Sequence, residues 1–317
     1  MATRTAMIAP AMRHWVTAAA LAALAAVPRA APADAADASM WDGDARSAIR
    51  LVAGSAGADR AAPRAGVELR LGTGWKTYWR YPGDSGVPPR FDFSKSTNVK
   101  SVAVRWPAPH RFTDENGASI GYKGAVLLPI DVVPADPKQP VTLRLKLEYA
   151  ICEKLCIPAV GSATLAVPAP SSFDRALAAA TAHVPHEAAL GGAGPLAVRS
   201  VGHEPGTSRI VVEVAAPEGP PLDLFVEGPT EDWALPLPEP VADTAPGRRR
   251  FSFELDGLPP GATAAGATLR FTLSRAITRS RSRRYSTEHF PPTPCRATRF
   301  NPWPSRWATR FPKRSSA

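Results

Sequence analysis

Between Ile49 and Val167 the chain runs through short apolar stretches: Val67–Leu71, Val99–Val104, Val126–Val132, Leu143–Tyr149 and Ala163–Val167. Each is four to eight residues long and is bounded by Gly, Pro, Asn or Asp, the pattern of strands in a β-sandwich. The alternation is clearest from Val141 to Tyr149, where Leu143, Leu145 and Leu147 are interleaved with Arg144, Lys146 and Glu148. One face of that strand packs and the other is wet. Pro168-Ala169-Pro170 ends the series. Ser171, three residues ahead of Asp174, is placed as the N-cap of a short Ala-rich helix over Phe173–His183. Pro185 and Gly191-Gly192-Ala193-Gly194-Pro195 close that helix, and a second set of strands follows at Ile210–Val214, Leu222–Val226, Arg250–Leu255 and Thr268–Leu273. The expected fold class is all-β, with a β-sandwich at 39–168, a linker with a short helix at 169–195 and a second β-sandwich at 196–274. No internal repeat of about 20 to 50 residues is present, which argues against a solenoid.

The two ends differ from this body. Arg4, Arg13 and His14 precede an apolar, Ala- and Leu-rich run from Trp15 to Val27, and small residues follow. Ala33-Asp34-Ala35 and Ala36-Asp37-Ala38 each satisfy a small-x-small cleavage rule, so residues 1–38 read as a signal peptide and the mature protein as periplasmic. No apolar stretch of about 20 residues follows, so the chain is not expected to span a membrane as a helix. The formal net charge of +10 suggests nucleic acid, but its distribution removes that inference. Residues 275–317 hold 11 of the 38 Lys and Arg and 1 of the 28 Asp and Glu, so the body carries 27 of each and is neutral. That segment, rich in Arg, Ser and Pro and containing Cys295, cannot build a core. It reads as a disordered basic tail, or as an out-of-frame stretch standing where a last strand was cut off. No nucleic-acid partner is expected.

Cys152 and Cys156 carry the candidate chemistry. In one continuous strand their Cα atoms would lie about 13 Å apart, beyond the roughly 7 Å limit for a disulfide. A tight hairpin through Glu153-Lys154-Leu155 would instead set them on neighbouring strands, with Cβ atoms about 4.5–5.5 Å apart. A helical turn would also bring them near, but the β pattern before Cys152 and Pro158 after Cys156 favour the hairpin. Three readings compete: a structural disulfide, common in exported proteins; half of a metal site, for which a second ligand pair is missing, since His110, His183 and His186 are scattered; and an exchangeable dithiol in a strained surface loop. The charges on Glu153 and Lys154 oppose each other and do not decide among them.

The stretch Val67–Val167 resembles the N-terminal periplasmic domain of the thiol:disulfide interchange protein DsbD and its relative ScsB, the disulfide bond corrector domain. The resemblance is carried by Gly74-Trp75-Lys76-Thr77-Tyr78-Trp79-Arg80-Tyr81-Pro82-Gly83-Asp84-Ser85-Gly86, Pro88-Pro89-Arg90-Phe91, Trp106-Pro107-Ala108-Pro109, Gly121-Tyr122-Lys123-Gly124 and Tyr149-Ala150-Ile151-Cys152-Glu153-Lys154-Leu155-Cys156-Ile157-Pro158. It implies immunoglobulin-like sandwiches and a redox-active centre at Cys152 and Cys156. This couple would take electrons from a separate membrane donor of the DsbD/ScsB type and pass them to periplasmic thioredoxin-like proteins. It further implies a protein-disulfide reductase activity without a dissociable cofactor, a cap formed by Asp114, Glu115 and Tyr122, and a site lined by Trp75 and Tyr78. The alternative from another class is a non-catalytic periplasmic binding or scaffold domain, linked to copper tolerance, in which the same two cysteines staple a hairpin.

Overall fold

The computed structural model describes residues 36–55, 63–83, 86–114, 117–167, 171–242 and 245–275. Most of the expected signal peptide, and the tail beyond Arg275, lie outside the described residues. The chain is all-β apart from one helix. In order, the elements are β1 (Asp42–Gly43), β2 (Ser47–Ala53), β3 (Arg64–Leu71), β4 (Lys76–Gly83), β5 (Arg90–Asp92), β6 (Val99–Val104), β7 (His110–Asp114), β8 (Gly117–Lys123), β9 (Ala125–Pro134), β10 (Thr142–Cys152) and β11 (Cys156–Ala166). They are followed by α1 (Asp174–Ala182), β12 (Ala197–His203), β13 (Arg209–Ala215), β14 (Leu222–Glu227), β15 (Glu239–Val241), β16 (Arg248–Glu254) and β17 (Arg270–Arg275). No helix among the described residues is long and apolar enough to cross a membrane.

Strands β1-β2-β3-β9-β6 form one sheet, and β11-β10-β4-β8-β7 form another, with β5 paired to β10. The inward residues of both sheets build one core: Ile49, Leu51, Val67, Leu69 and Leu128 from the first, and Trp79, Ile120, Leu143, Leu145 and Leu147 from the second. The alternation read from Leu143 to Tyr149 is the burial pattern observed in β10. It stops at Tyr149, because Ala150, Ile151 and Cys152 are all buried and both faces of the strand are covered at that end. The site lies where the two-residue period fails.

β12-β13-β16-β15 and β14-β17 make two further sheets around a second core that includes Val212, Val214, Leu224, Trp233, Phe251 and Phe253. β14 faces two ways. Leu224 and Val226 enter this second core, whereas Phe225 between them enters the first and meets the Trp79 ring at a centroid distance of 5.9 Å.

Two local expectations change. The N-cap position of α1 is Phe173, with no side-chain cap. Ser171 Oγ instead accepts the Phe173 N–H and bonds the carbonyl of Ala53, while the Asp174 carboxylate accepts from Ser55. The helix is thus tied to the end of β2. The last strand begins at Arg270, two residues later than its apolar pattern suggests, with Thr272 and Ser274 as its buried positions.

β4 is the irregular member of its sheet. Tyr78 pairs with Gly121 of β8, but the next aligned pair is Gly83 with Ser119, so residues 79–82 bulge out of the ladder. Gly121 allows the close approach at the start of this bulge, since a Cβ there would lie 1.8 Å from the Thr77 carbonyl oxygen. Gly121→Ala is expected to destabilise the fold by about 1–3 kcal/mol through overpacking, measured as a lower urea midpoint at unchanged slope.

Candidate functional site

The β10–β11 hairpin keeps register from Thr142↔Ala166 to Cys152↔Cys156, where the chain turns through Glu153-Lys154-Leu155. The two cysteines therefore face each other at the mouth of the hairpin and form a disulfide, with Cα atoms 4.1 Å apart. With each sulfur bonded to the other, the pair is not a metal half-site in this oxidised state. The two halves of the disulfide differ in environment. Cys152 is 2% exposed, while Cys156 opens to solvent beside Leu155, which is 74% exposed.

Above the bond stands Tyr78. β4 pairs with β10 through Thr77↔Ile151 and Lys76↔Cys152, and the Thr77 hydroxyl donates to the Ala150 carbonyl at 2.9 Å. This sets Tyr78 beside Ala150 and Cys152 in a small cluster that Val87 covers. Its hydroxyl lies 2.7 Å from Cys152 Sγ and 3.1 Å from Cys156 Sγ. A disulfide carries no hydrogen, so the phenol is the donor to both. The ring is held from the far side by Gly86, where a Cβ would come within 2.5 Å of Tyr78 Cε1. The hairpin tip rests on the turn that precedes β4. Gly74 there has φ +84°, and the Glu153 carboxylate occupies the space a side chain at 74 would need.

Of the residues expected at the site, Cys152, Cys156 and Tyr78 come together. Trp75 is half-buried, closes the Gly72 turn with its N–H and packs on the main core. Tyr122 also belongs to the main core. Its hydroxyl donates to the Pro107 carbonyl at 2.7 Å, and burial pushes its phenol well above the usual range. The aromatic ring on the sulfurs is Tyr78, not Tyr122. Glu115 and the side chain of Asp114 lie outside the described residues.

Sequence reasoning missed Lys76. Its Cα is paired with those of Cys152 on one side and Lys123 on the other, so two cysteines and two lysines stand in one cross-strand row over β11, β10, β4 and β8. Lys76 is buried, its ammonium donates to Ser119 Oγ at 3.0 Å, and the Phe112 ring lies between reach of both lysines, 6.0 Å from Lys76 Nζ and 4.6 Å from Lys123 Nζ. The signal was a lysine at a position where the strand is otherwise aromatic and buried.

Chemically, the arrangement offers one accessible sulfur, one sheltered sulfur and a neutral donor between them. A donor bonds a thiolate more strongly than a disulfide sulfur, because a charge-assisted hydrogen bond is the stronger kind.

Residues 48–168 match the family model of the thiol:disulfide interchange protein DsbD, N-terminal domain. The match runs from β2 to the end of β11, so it takes in both sheets apart from β1, and both cysteines. Among solved structures, the N-terminal periplasmic domain of ScsB from Proteus mirabilis is similar over 75% of this chain and 94% of its own length, with 20% identity and a TM-score of 0.59. That share exceeds what residues 48–168 supply, so the likeness of fold to ScsB extends beyond the DsbD segment. No curated protein matches the chain. The resemblance read from the aromatic motif and the cysteine hairpin is thus the one the family model finds.

Removing the donor over the sulfurs should favour the oxidised state. Tyr78→Phe is expected to lower the reduction potential of the pair by about 30 mV, roughly tenfold in the equilibrium constant with glutathione. The ratio of oxidised to reduced protein in glutathione redox buffers gives this value directly.

Proposed function

We propose that Cys152 and Cys156 are a redox-active couple that relays electrons, in the periplasm, from a separate membrane donor of the DsbD/ScsB type to thioredoxin-like proteins. The observation that carries this reading is the asymmetry of the pair: one sulfur is open, the other is sealed beneath a tyrosine that donates to both. The match of residues 48–168 to the interchange family supports it, and the likeness to a periplasmic domain supports the compartment.

In the first half of the cycle a donor thiolate attacks Sγ of Cys156, the exposed residue of the pair. The S–S bond breaks and Cys152 departs as a thiolate toward the Tyr78 hydroxyl. The donor's second thiolate then attacks its own sulfur in the mixed disulfide, releasing Cys156. The donor is left as a disulfide and the couple holds two electrons. In the second half the Cys156 thiolate attacks an acceptor disulfide and expels one acceptor thiolate. Cys152 then attacks Cys156 Sγ, the intramolecular bond re-forms, and the acceptor leaves as a dithiol. Electrons and thiol protons balance, and no dissociable cofactor enters.

Two measurements test this. The reduction potential should fall between about −180 and −270 mV, the range of exchange proteins, whereas a value below about −300 mV marks a staple in a binding module. Cys152→Ser should accumulate a mixed disulfide through Cys156 with a thioredoxin-like substrate, while Cys156→Ser should trap none; equal trapping by both variants would reject the assignment of Cys156 as the exchanging sulfur.

A further inference from the structure

Residues 79–82 have lost their ladder to β8, yet Trp79 and Tyr81 are buried and Arg80 is ion-paired. The contacts come from the second β-region. Trp79 packs on Phe225, and both are fully buried. Arg80 makes a two-point ion pair with Glu227, Nε to Oε1 and Nη2 to Oε2, each at 2.8 Å and largely shielded from solvent. The Tyr81 hydroxyl donates to the Leu235 carbonyl at 2.7 Å. On β7, at the edge of the same sheet, Arg111 reaches Asp223 at 3.3 Å and Glu239 at 2.6 Å. The Ser274 hydroxyl donates to the Pro109 carbonyl at 2.7 Å. Every residue from Trp79 to Tyr81 is thus fastened to β14 or to the segment after it, and the residue immediately before them is the one whose hydroxyl touches both sulfurs.

We infer that the second β-region is a splint for the redox pair. By gripping the bulged segment through Phe225, Glu227 and Leu235 it fixes where β4 leaves the ladder, and so fixes the Tyr78 hydroxyl over Cys152 and Cys156. The physical reason lies in the bulge. A strand with both neighbours carries its own position in its ladder, whereas a bulged stretch has exchanged those hydrogen bonds for whatever packs on it. Glu227 and Arg80 are positioning residues that never meet a substrate; they act through Tyr78. The biological value of the splint rests on the exchange reading above, but its existence does not, because the potential of the pair responds to Tyr78 whether or not a partner uses it.

The test is a double-mutant cycle in the full chain. Glu227→Ala should shift the equilibrium constant with glutathione in the direction of Tyr78→Phe, by about threefold, and the variant carrying both changes should match Tyr78→Phe alone, since residues acting through one group are not additive. A Glu227→Ala protein with the wild-type constant overturns the inference, and so does a shift that adds in full to that of Tyr78→Phe. If Glu227→Ala does not fold, Arg80→Lys, which keeps the charge and loses the two-point geometry, is read in the same way. The absolute wild-type potential tests the exchange reading separately; the difference between variants tests the splint.

Discussion

A slip of one residue between β10 and β11 would turn Cys152 and Cys156 to opposite faces of the sheet, since side chains alternate with a period of two. Their meeting therefore depends on a register held over eleven aligned pairs, from Thr142↔Ala166 to Cys152↔Cys156. That register is set by burial. Leu143, Leu145 and Leu147 enter the core only in this alignment, and a shifted strand would present Arg144, Lys146 and Glu148 to it. The hydrophobic core along β10 thus acts at a distance on the sulfur chemistry.

The same constraint accounts for the difference between the two sulfurs. β10 is an inner strand, flanked by β11 and β4, and its last residues are covered on both faces; β11 is at the edge of the sheet. Cys152 ends the inner strand and Cys156 begins the outer one. Sheet topology gives one cysteine shelter and the other access to solvent, while the Tyr78 hydroxyl reaches both.

Much of this was legible in the residues. The strands of the first sheets follow the alternation, and the three-residue gap between the cysteines, read with the apolar strand before them and Pro158 after, favoured a hairpin over a helical turn. What could not be read was β4. Lys76-Thr77-Tyr78-Trp79-Arg80-Tyr81 has no clean period, because Tyr78 is buried against the disulfide, Trp79 in the core, and Arg80 and Tyr81 against the second β-region. Four consecutive residues answer to three different environments, and no single periodicity encodes that. The assignment of Tyr122 as the ring over the sulfurs failed for a related reason: two tyrosines stand on neighbouring strands, and only the parity of each along its strand decides which face it takes. Ser171 failed as a helix cap because the helix begins only at Asp174, so the backbone N–H its hydroxyl accepts is that of Phe173, ahead of the first turn.

The edge strand β11 is closed to further pairing near the disulfide. Pro158, two residues beyond Cys156, has no amide hydrogen to offer, and the amide of Ser162 is already taken by the Asp42 carboxylate. A continuous backbone ladder cannot be added along this edge, so what the hairpin tip presents is a small patch of Cys156, Leu155 and their immediate surroundings. For a partner of the kind proposed above, contact of that size would favour brief encounters over lasting complexes and place few demands on the partner's sequence.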